Sequence, residues 1–452
     1  MAANFKFVKF IFGSTPIDDP LSTEYVGSTA YNFCADRVLF LIAHVLHDLD
    51  KDSFKIPQRF GEGSSEELKE IIGMLSKLKT DVQTNKALVP LSDSAKDAVR
   101  WNQFMAEQKE KRGDRDLTWF DCPFMFADCY FYRRIAEFFE ASKTLSTYDP
   151  YLKQKDDALK GSMESIKSLS KYCNKITKNI PQMSDEELKE ETMNLFQVCM
   201  WGNECDLAMA IEGVGHKSTN AIKQVISKKE QVICNDLECI CLYLRDTKAG
   251  QEPDKKIEID IIMDNAGYEL FSDFCLADWL LSSSQVDRVT FHVKNMPWFV
   301  SDTNSHDILW VLSAFEVSDS EDILELLARW KSNFSSGKWK VKDDETYWTL
   351  PFSYHEMPSE DAELYNQLSS SSLLIFKGDL NYRKLLGDIN WKFSTPFGSA
   401  LKNFTPAPLV ALRAVKTEIL VGVDSEVVME NNTKDPLWMI KGTHGVIQFH
   451  IP

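Results

Sequence analysis

The sequence predicts an α/β fold, in which a helical region of about residues 20–210 precedes a mainly parallel sheet with helices on both faces. Two observations support this. In the first half, apolar residues recur every three or four positions, which is the spacing of amphipathic helices. In the second half, short apolar runs alternate with helical patterns, which is typical of a parallel sheet covered by helices.

Four segments carry the predicted helices of the first half, and they span residues 28–52, 64–85, 119–142 and 184–210. Ser64 and Glu67 have the spacing of a capping box, and so do Ser184 and Glu187. Pro123 stands near the start of the third helix. Residues 213–230 lose the apolar periodicity and are interpreted as an exposed connection.

The second half then alternates strand and helix. The predicted strands lie within residues 255–264, 288–302, 337–343 and 371–379, followed by a strand pair joined by a turn at 407–423. The predicted helices lie within residues 266–284, 305–316, 321–333 and 380–388.

The composition argues against a nucleic-acid-binding protein and against a membrane protein. The chain has 452 residues, 44% of them hydrophobic, and a net charge of −17, so a general nucleic-acid-binding role is disfavoured. An anionic substrate would therefore need a local basic cluster. No apolar stretch reaches membrane-spanning length, so no membrane partner is expected. Ten cysteines without a CxxC pair, and a poor signal-peptide core at the start, predict a protein of the cytoplasm or the nucleus.

Polar residues follow two of the predicted strands. Asp264 and Asn265 come after IEIDIIM, and Asp302 comes after MPWFVS. Open α/β sheets bind ligands just beyond their strand ends. Two carboxylates and an amide carbonyl are hard oxygen ligands, suited to Mg²⁺ or Mn²⁺. The alternative is structural, because DNAG is also an ordinary turn and Asp302 is a good helix N-cap.

Two further segments supply basic residues. The run Lys377-Gly378-Asp379 ends a predicted buried strand and enters a basic helix, where free backbone N–H groups favour an anion. The alternative is a turn followed by a solvated helix. In LRAVK, Arg413 and Lys416 flank a strand-like run, and Lys416 is either a point charge for phosphate or a surface lysine.

These segments resemble one known family along almost the whole chain after about residue 20. The similarity includes WNQ (101–103), DCYFYRRI (128–135), WGNECDL (201–207), DNAGYEL (264–270), PWFVSD (297–302), FKGDLNYRKLLGD (376–388) and RAVK (413–416). The chain is identified as a member of the metal-dependent damage-control phosphatases. Its subgroup is also described as protein-glutamate O-methyltransferases of the acidic residue methyltransferase 1 type.

The resemblance implies a helical N-terminal domain packed on a Rossmann-like three-layer α/β/α domain. The expected boundaries are an N-terminal extension at 1–20, a helical domain at 21–215 and the α/β catalytic domain at 230–452. It also implies hydrolysis of sugar phosphates, notably fructose 1-phosphate and fructose 6-phosphate, in metabolite damage control.

The resemblance further implies the site residues. A divalent ion, Mn²⁺, Ni²⁺ or Co²⁺, is expected at Asp264, Asn265 and Asp302, which are also the expected catalytic residues. The substrate is expected to contact Asp264, Asn265, Asp379, Leu380, Asn381, Tyr382, Arg383 and Lys416. Positions matching Glu269 and Asp302 are assigned to S-adenosylmethionine in the methyltransferase description. Asn203, Asp206 and Arg413 are secondary candidates, and the alternative for Asn203 and Asp206 is capping and packing of Trp201.

Two departures from the family pattern stand out. The subgroup signature Arg-Thr-x-Lys reads Arg413-Ala414-Val415-Lys416 here, so both charges remain and the hydroxyl is lost. Asp128 stands where relatives carry Glu before the Cys-Tyr pair, which shortens its reach.

The leading hypothesis is metal-assisted phosphomonoester hydrolysis, in which the nucleophile is either water at the ion or a carboxylate such as Asp264. The runner-up is an S-adenosylmethionine-dependent carboxyl methyltransferase that acts on glutamates of a partner protein. No GxGxxG-like loop follows a strand, which weakens that reading. A third class, a non-catalytic binding module, leaves the charged site without a reason.

Overall fold

The computed structural model describes residues 8–202 and 228–452. In chain order, its α-helices are α1 Thr29–Asn32, α2 Val38–Asp52, α3 Ile56–Phe60, α4 Ser64–Gln83, α5 Ala98–Lys111, α6 Phe124–Glu140, α7 Leu152–Gly161, α8 Met163–Asn179, α9 Asp185–Met200, α10 Leu237–Ala249, α11 Tyr268–Ser282, α12 Ser305–Glu316, α13 Glu321–Ser335, α14 Met357–Glu360, α15 Ala362–Leu368, α16 Gly378–Leu385, α17 Phe397–Ala400 and α18 Ser425–Lys434. A π-helical turn, Phe33–Arg37, joins α1 to α2.

A seven-stranded sheet organises the second half. Its strands are β1 Val232–Asn235, β2 Glu258–Ile262, β3 Arg288–His292, β4 Trp339–Lys342, β5 Leu373–Lys377, β6 Leu409–Ala414 and β7 Gly445–His450. They lie in the order β1-β7-β6-β5-β2-β3-β4, and every neighbouring pair is parallel except β6 and β7. The predicted mainly parallel α/β sheet is confirmed.

The sheet is the middle of three layers, as the burial along β5 shows. Leu374 and Phe376 pack into the core that the N-terminal helices share, whereas Leu373 and Ile375 pack into the core on the opposite face. Successive side chains of a strand point to opposite faces, so β5 is buried on both sides. The helices from α1 to α6 therefore pack on one face of the sheet.

The second face is covered partly by helices from the first half of the chain. α8 and α9 pack on α11 and α13, and they share one core cluster. The predicted domain boundaries at 21–215 and 230–452 stay predictions. No helix among the described residues is long and apolar enough to cross a membrane.

One predicted cap forms and another does not. At the start of α9, Ser184 and Glu187 make the predicted capping box. At the start of α4 the prediction is wrong, because Glu67 does not turn back to Ser64. Its carboxylate instead accepts hydrogen bonds from the hydroxyl and backbone N–H of Thr144, at 2.6 and 2.9 Å, and so ties α4 to a distant turn.

The predicted strand pair at 407–423 is also only half correct. β6 forms, but the apolar residues after Lys416 make no second strand. The N–H groups of Gly422 and Val423 donate to Thr395 and Phe393, at 2.8 and 2.9 Å. That segment is consequently buried under a loop, and the neighbour of β6 is the C-terminal strand β7.

Candidate active site

The predicted site lies where the order of the strands reverses. β2 and β5 are neighbours in the centre of the sheet, and the chain leaves β2 toward β3 but leaves β5 toward β6. In open α/β sheets, the crevice outside such a switch point is where ligands bind. Asp264 follows β2 and Gly378 follows β5, so both stand at this crevice.

Backbone hydrogen bonds join the two predicted acidic loops. The N–H of Ala266 donates to the carbonyl of Ser301, and the N–H of Thr303 donates to the carbonyl of Asp264, both at 2.7 Å. Asn265 and Asp302 face each other across this antiparallel bridge. The structure therefore brings together the three residues predicted as metal ligands, although they lie on separate loops.

None of the three residues serves as a helix cap. The residue before α11 is Gly267, which makes no side-chain cap. The residue that caps α12 is Asn304, in a reciprocal capping box with Asp307. The alternative interpretation of Asp302 as a helix N-cap is therefore wrong, and its carboxylate does not cap α12.

The loop before Asp302 is strained. Phe299 and Val300 have φ angles of 45° and 70°, in the left-handed region that branched side chains rarely adopt. The ring of Phe299 stacks on Tyr132 of α6, with centroids 4.5 Å apart. Packing against the helical layer thus holds the conformation that presents Asp302.

Gly378 makes room for Asp264. A Cβ at position 378 would lie 2.0 Å from the Oδ2 atom of Asp264, and the φ angle of Gly378 is +84°. A side chain there would therefore both clash and strain the backbone. The close approach brings the carboxylate of Asp264 against the start of α16.

The two site carboxylates are destabilised in their charged forms. Burial, followed by the charges of Glu269 and Asp302, raises the pKa of Asp264 well above its usual value. Burial also raises the pKa of Asp302 to about 6, although Lys294 opposes this. Carboxylates confined together in this way favour a bound cation.

The donor set fits a divalent ion. The Oδ2 atom of Asp302 is buried and receives no hydrogen bond of acceptable geometry from the described residues, although Nζ of Lys294 lies 3.2 Å away. Within residues 8–202 and 228–452, no cluster of three His, Cys, Asp or Glu side chains could hold a metal. The fit therefore depends on Asn265 as the third oxygen donor, beside two carboxylates.

Asp379 organises the end of β6. Its Oδ1 atom accepts from Nε of Arg413 at 2.8 Å and from the backbone N–H of Lys416 at 3.1 Å. Burial acts to raise the pKa of Asp379, but Arg413 and Arg383 lower it below its usual value. Asp379 and Arg413 thus anchor the segment that carries Lys416.

The other residues predicted to bind substrate in α16 point into the protein. Leu380, Asn381, Tyr382 and Arg383 are all buried. Arg383 is paired with Asp388 at 2.8 Å and with Asp128 at 2.7 Å. Their direct contact with substrate stays a prediction, and Arg383 already has two carboxylate partners.

Lys416 is different. It is partly exposed, and its Nζ atom makes no hydrogen bond or ion pair with any other residue in the described parts of the chain. Its positive charge lowers the pKa of Asp264, which burial dominates. Lys416 is therefore a cation next to the site, and the N–H groups of its ammonium are available to a ligand.

Comparison with known proteins shows the family of this chain. A family model of the damage-control phosphatase ARMT1-like domain matches residues 34–431. The chain belongs to the ARMT1-like damage-control phosphatases. It is 36% identical over 432 residues to damage-control phosphatase ARMT1 of Xenopus laevis, covering 95% of this chain and 98% of that protein. It is 35% identical over 434 residues to the Homo sapiens protein of the same name, covering 96% and 98%.

A more distant likeness is a crystal structure of a DUF89 family protein from Pyrococcus horikoshii. It is 13% identical with a TM-score of 0.38, and the match covers 73% of this chain and 90% of that one. Family membership places this damage-control phosphatase among the hydrolases of metabolite damage control.

Both departures from the family pattern can be located in this phosphatase. Ala414 is the last residue of β6, and its methyl group packs in the core on the α9 and α11 side. Asp128 reaches Arg383 despite its shorter side chain. The effect of Ala414 on substrate preference stays a prediction.

Sequence reasoning missed residues whose role depends on distant contacts. Lys294 donates to the carbonyl of Met263 at 2.7 Å and pairs with Asp302. Arg37, on the π-helical turn, is exposed and hydrogen-bonds to Tyr132. Burial raises the pKa of Tyr132, and the negative charge of Asp302 raises it further. The π-helical turn thus holds the Arg37 guanidinium against Tyr132, whose ring stacks on Phe299 in the loop before Asp302.

Glu269 lies under the site, and Asn203 and Asp206 lie outside the described residues. The Oε1 atom of Glu269 accepts from Lys377 at 2.8 Å, and its Oε2 atom accepts from Asn265 at 2.8 Å. Both carboxylate oxygens of Glu269, the residue predicted to bind S-adenosylmethionine, therefore already accept hydrogen bonds from the protein.

A cavity of about 970 Å³ opens beside the site. Lys294, Asn304 and Asp307 form part of one wall, but Asp264, Asn265 and Asp302 are not in its lining. The crevice at the strand ends, which holds Asp264, Asn265 and Asp302, is therefore separate from this cavity.

Proposed function

We propose that this chain hydrolyses sugar phosphates, with fructose 1-phosphate and fructose 6-phosphate as substrates, and that the reaction requires Mn²⁺, Co²⁺ or Ni²⁺. The observation that carries the proposal is the group formed by Asp264, Asn265 and Asp302 at the switch point of the sheet. These side chains would hold the ion. When bound, a divalent ion supplies Lewis-acid stabilisation of the charge that develops on phosphoryl oxygens.

The phosphate of the substrate needs further cations, and most of those at this edge are engaged. Lys377 and Arg383 have carboxylate partners, and Arg413 pairs with Asp379. Lys384 donates to the carbonyls of Trp348 and Leu350.

Lys416 and Arg37 have no carboxylate partner among the described residues, so they are our candidates for binding the phosphate. Lys416 approaches from the end of β6 and Arg37 from the helical layer. Between them, a phosphomonoester would lie over Asp264, with a point charge on one side and a planar guanidinium on the other. This arrangement keeps the predicted contact of Lys416 with the substrate and adds Arg37, whereas the sequence predicted contacts from the Asp379–Arg383 segment.

The nucleophile is either water or Asp264. Asp264 is partly exposed at the crevice and accepts a hydrogen bond from Asn265 at 2.7 Å, so its carboxylate can reach a bound phosphate. Attack by Asp264 would form an aspartyl-phosphate and release the sugar alkoxide, which takes up a proton. Trapping a phosphoenzyme supports this route. In that route water then hydrolyses the aspartyl-phosphate at phosphorus, which releases phosphate and regenerates Asp264. Both routes therefore place one water oxygen in the phosphate, and it is the absence of a trapped phosphoenzyme that supports direct attack by water.

The alternative of an S-adenosylmethionine-dependent glutamate O-methyltransferase has less support, because Glu269 is buried and both of its oxygens already accept hydrogen bonds from the protein. Calorimetric titration with S-adenosylmethionine separates the two activities. The phosphatase proposal expects no heat of binding. The proposal itself is tested by measuring phosphate release from a panel of sugar phosphates across divalent metals, with chelated protein as the control.

A further inference from the structure

The side chain of Asn265 is held in one orientation by its neighbours. Its Nδ2 group donates to Oδ2 of Asp264 at 2.7 Å and to Oε2 of Glu269 at 2.8 Å. The hydroxyl of Ser301 donates to its Oδ1 atom. Glu269 pairs with the ammonium of Lys377 at 2.8 Å, and a carboxylate paired in this way only accepts hydrogen bonds. Glu269 therefore defines which end of the amide is the NH₂ group, whereas a hydroxyl adapts to either end.

Glu269 is itself fixed from below. It stands in the first turn of α11, is 3% exposed, and receives Nζ of Lys377 at 2.8 Å. The same ammonium donates to Asp273 at 2.6 Å and to the carbonyl of Cys199 at 3.0 Å. All three N–H donors of Lys377 are thus used inside the protein.

Gly202, two residues after the end of α9, closes the remaining space around Glu269. A Cβ at position 202 would lie 2.9 Å from the Cα of Glu269, so Gly202 lets the chain pack directly against it. Glu269 therefore has little freedom to move, and the direction of its Oε2 atom is set before any ligand arrives.

We infer that Glu269, clamped by Lys377, is a positioning residue that keeps the carbonyl oxygen of Asn265 turned toward Ser301 and Asp302. A flipped amide would present NH₂ where an oxygen ligand is needed, and it would place its carbonyl against two carboxylates. This inference rests on the proposed metal site and gives Glu269 a role different from binding S-adenosylmethionine. Residues that orient metal ligands typically affect metal affinity by about 10- to 100-fold.

The test is Mn²⁺ affinity, measured by the electron paramagnetic resonance signal of free Mn²⁺ in the absence of substrate. In Glu269→Gln, the new amide can donate to Asn265 and permit the flip, so the dissociation constant should rise about 10- to 100-fold. In an Asn265→Asp background, both ends of residue 265 are oxygens. There, adding Glu269→Gln should change the constant by less than about threefold, which is the non-additivity expected of coupled residues.

Asp278→Asn is the matched control, because Asp278 is a buried carboxylate of the same helix that pairs with Arg329 at 2.8 Å, away from the site. It should leave Mn²⁺ affinity unchanged. Parent-like affinity in Glu269→Gln, or equal losses in both backgrounds, would overturn the inference while leaving the metal site standing. A parent protein that binds no Mn²⁺ would overturn both.

A measurement on the parent protein covers the case in which Glu269→Gln fails to fold. With selective ¹⁵N-asparagine labelling, the Asn265 side-chain amide is assigned by its loss in Asn265→Asp. Both of its protons should exchange slowly and stay protected when diamagnetic Mg²⁺ is added, because they point to Asp264 and Glu269. Fast exchange of either proton would contradict the inferred orientation.

Discussion

A side-chain carbon on Gly378 would lie 2.0 Å from the Oδ2 atom of Asp264. We therefore expect Gly378→Ala to displace the carboxylate and reduce phosphate release at least about 100-fold, because misplacement of a reacting group by about 1 Å has effects of that size. Gly337→Ala is the control, since Gly337 has a similar φ of +71° but nothing within 4 Å of a Cβ. Equal activity in the two variants, measured with fructose 1-phosphate and Mn²⁺, would show that the contact is unimportant.

Lys416→Gln should raise the KM for fructose 1-phosphate by about 10- to 100-fold, because a charge-assisted hydrogen bond to phosphate contributes about 1.5–3 kcal/mol. Mn²⁺ affinity should change little, since Lys416 is not a ligand. Steady-state kinetics check this, with Lys340→Gln on the exposed edge of β4 as the control. An unchanged KM would mean that Lys416 is a surface lysine.

Arg37→Gln should also raise KM by about 10-fold or more, for the same reason. Arg37→Lys should recover only part of the loss, because an ammonium cannot reproduce a bidentate contact. The control is Arg245→Gln, which removes an exposed arginine of α10 paired with Asp246. The account of Arg37 fails if its Gln variant binds inorganic phosphate, in competition assays, as tightly as the parent.

The buried Lys384 should make the free energy of unfolding depend on pH. Burial lowers its pKa to about 8, and its partners are the carbonyls of Trp348 and Leu350. Between pH 8 and about 10.5, the unfolded state keeps a proton that the folded state has released, so stability rises with pH. The gain should reach about 3 kcal/mol.

The comparison for this effect is Lys384→Met, in which the titrating group is absent. Urea unfolding of metal-free protein at pH 8 and pH 10 should show the free energy of unfolding rising in the parent relative to the variant. Parallel behaviour of the two proteins over this range would mean that Lys384 keeps its proton.

Much of the sheet could be predicted because its central strands are apolar runs with polar ends. β2 and β5 each place apolar residues in both cores, and Asp264 and Gly378 follow within two residues of their ends. β1 and β7 were not predicted. β1 has only four residues, which is too short for a clear pattern. The apolar run after Lys416 has the composition of a strand, but its backbone hydrogen bonds go to the loop at Phe393 and not to the sheet.

The site was only partly predictable, because the sequence does not distinguish an available cation from an engaged one. Arg383 and Lys416 look alike as candidates for phosphate. Arg383 is neutralised by Asp128, which is 255 residues away in the chain, whereas Lys416 remains available. The tertiary contacts of Arg383 with Asp128 and Asp388 separate these cases.

The central claim is that Asp264 belongs to a metal-dependent phosphatase site. The most direct measurement is phosphate release from fructose 1-phosphate by Asp264→Ala in the presence of Mn²⁺, Co²⁺ or Ni²⁺, beside Asp246→Ala as an exposed control. We expect Asp264→Ala to lose at least about 100-fold in rate with every metal, because its carboxylate is preorganised at the reacting phosphate. A parent-like rate in Asp264→Ala would contradict the account.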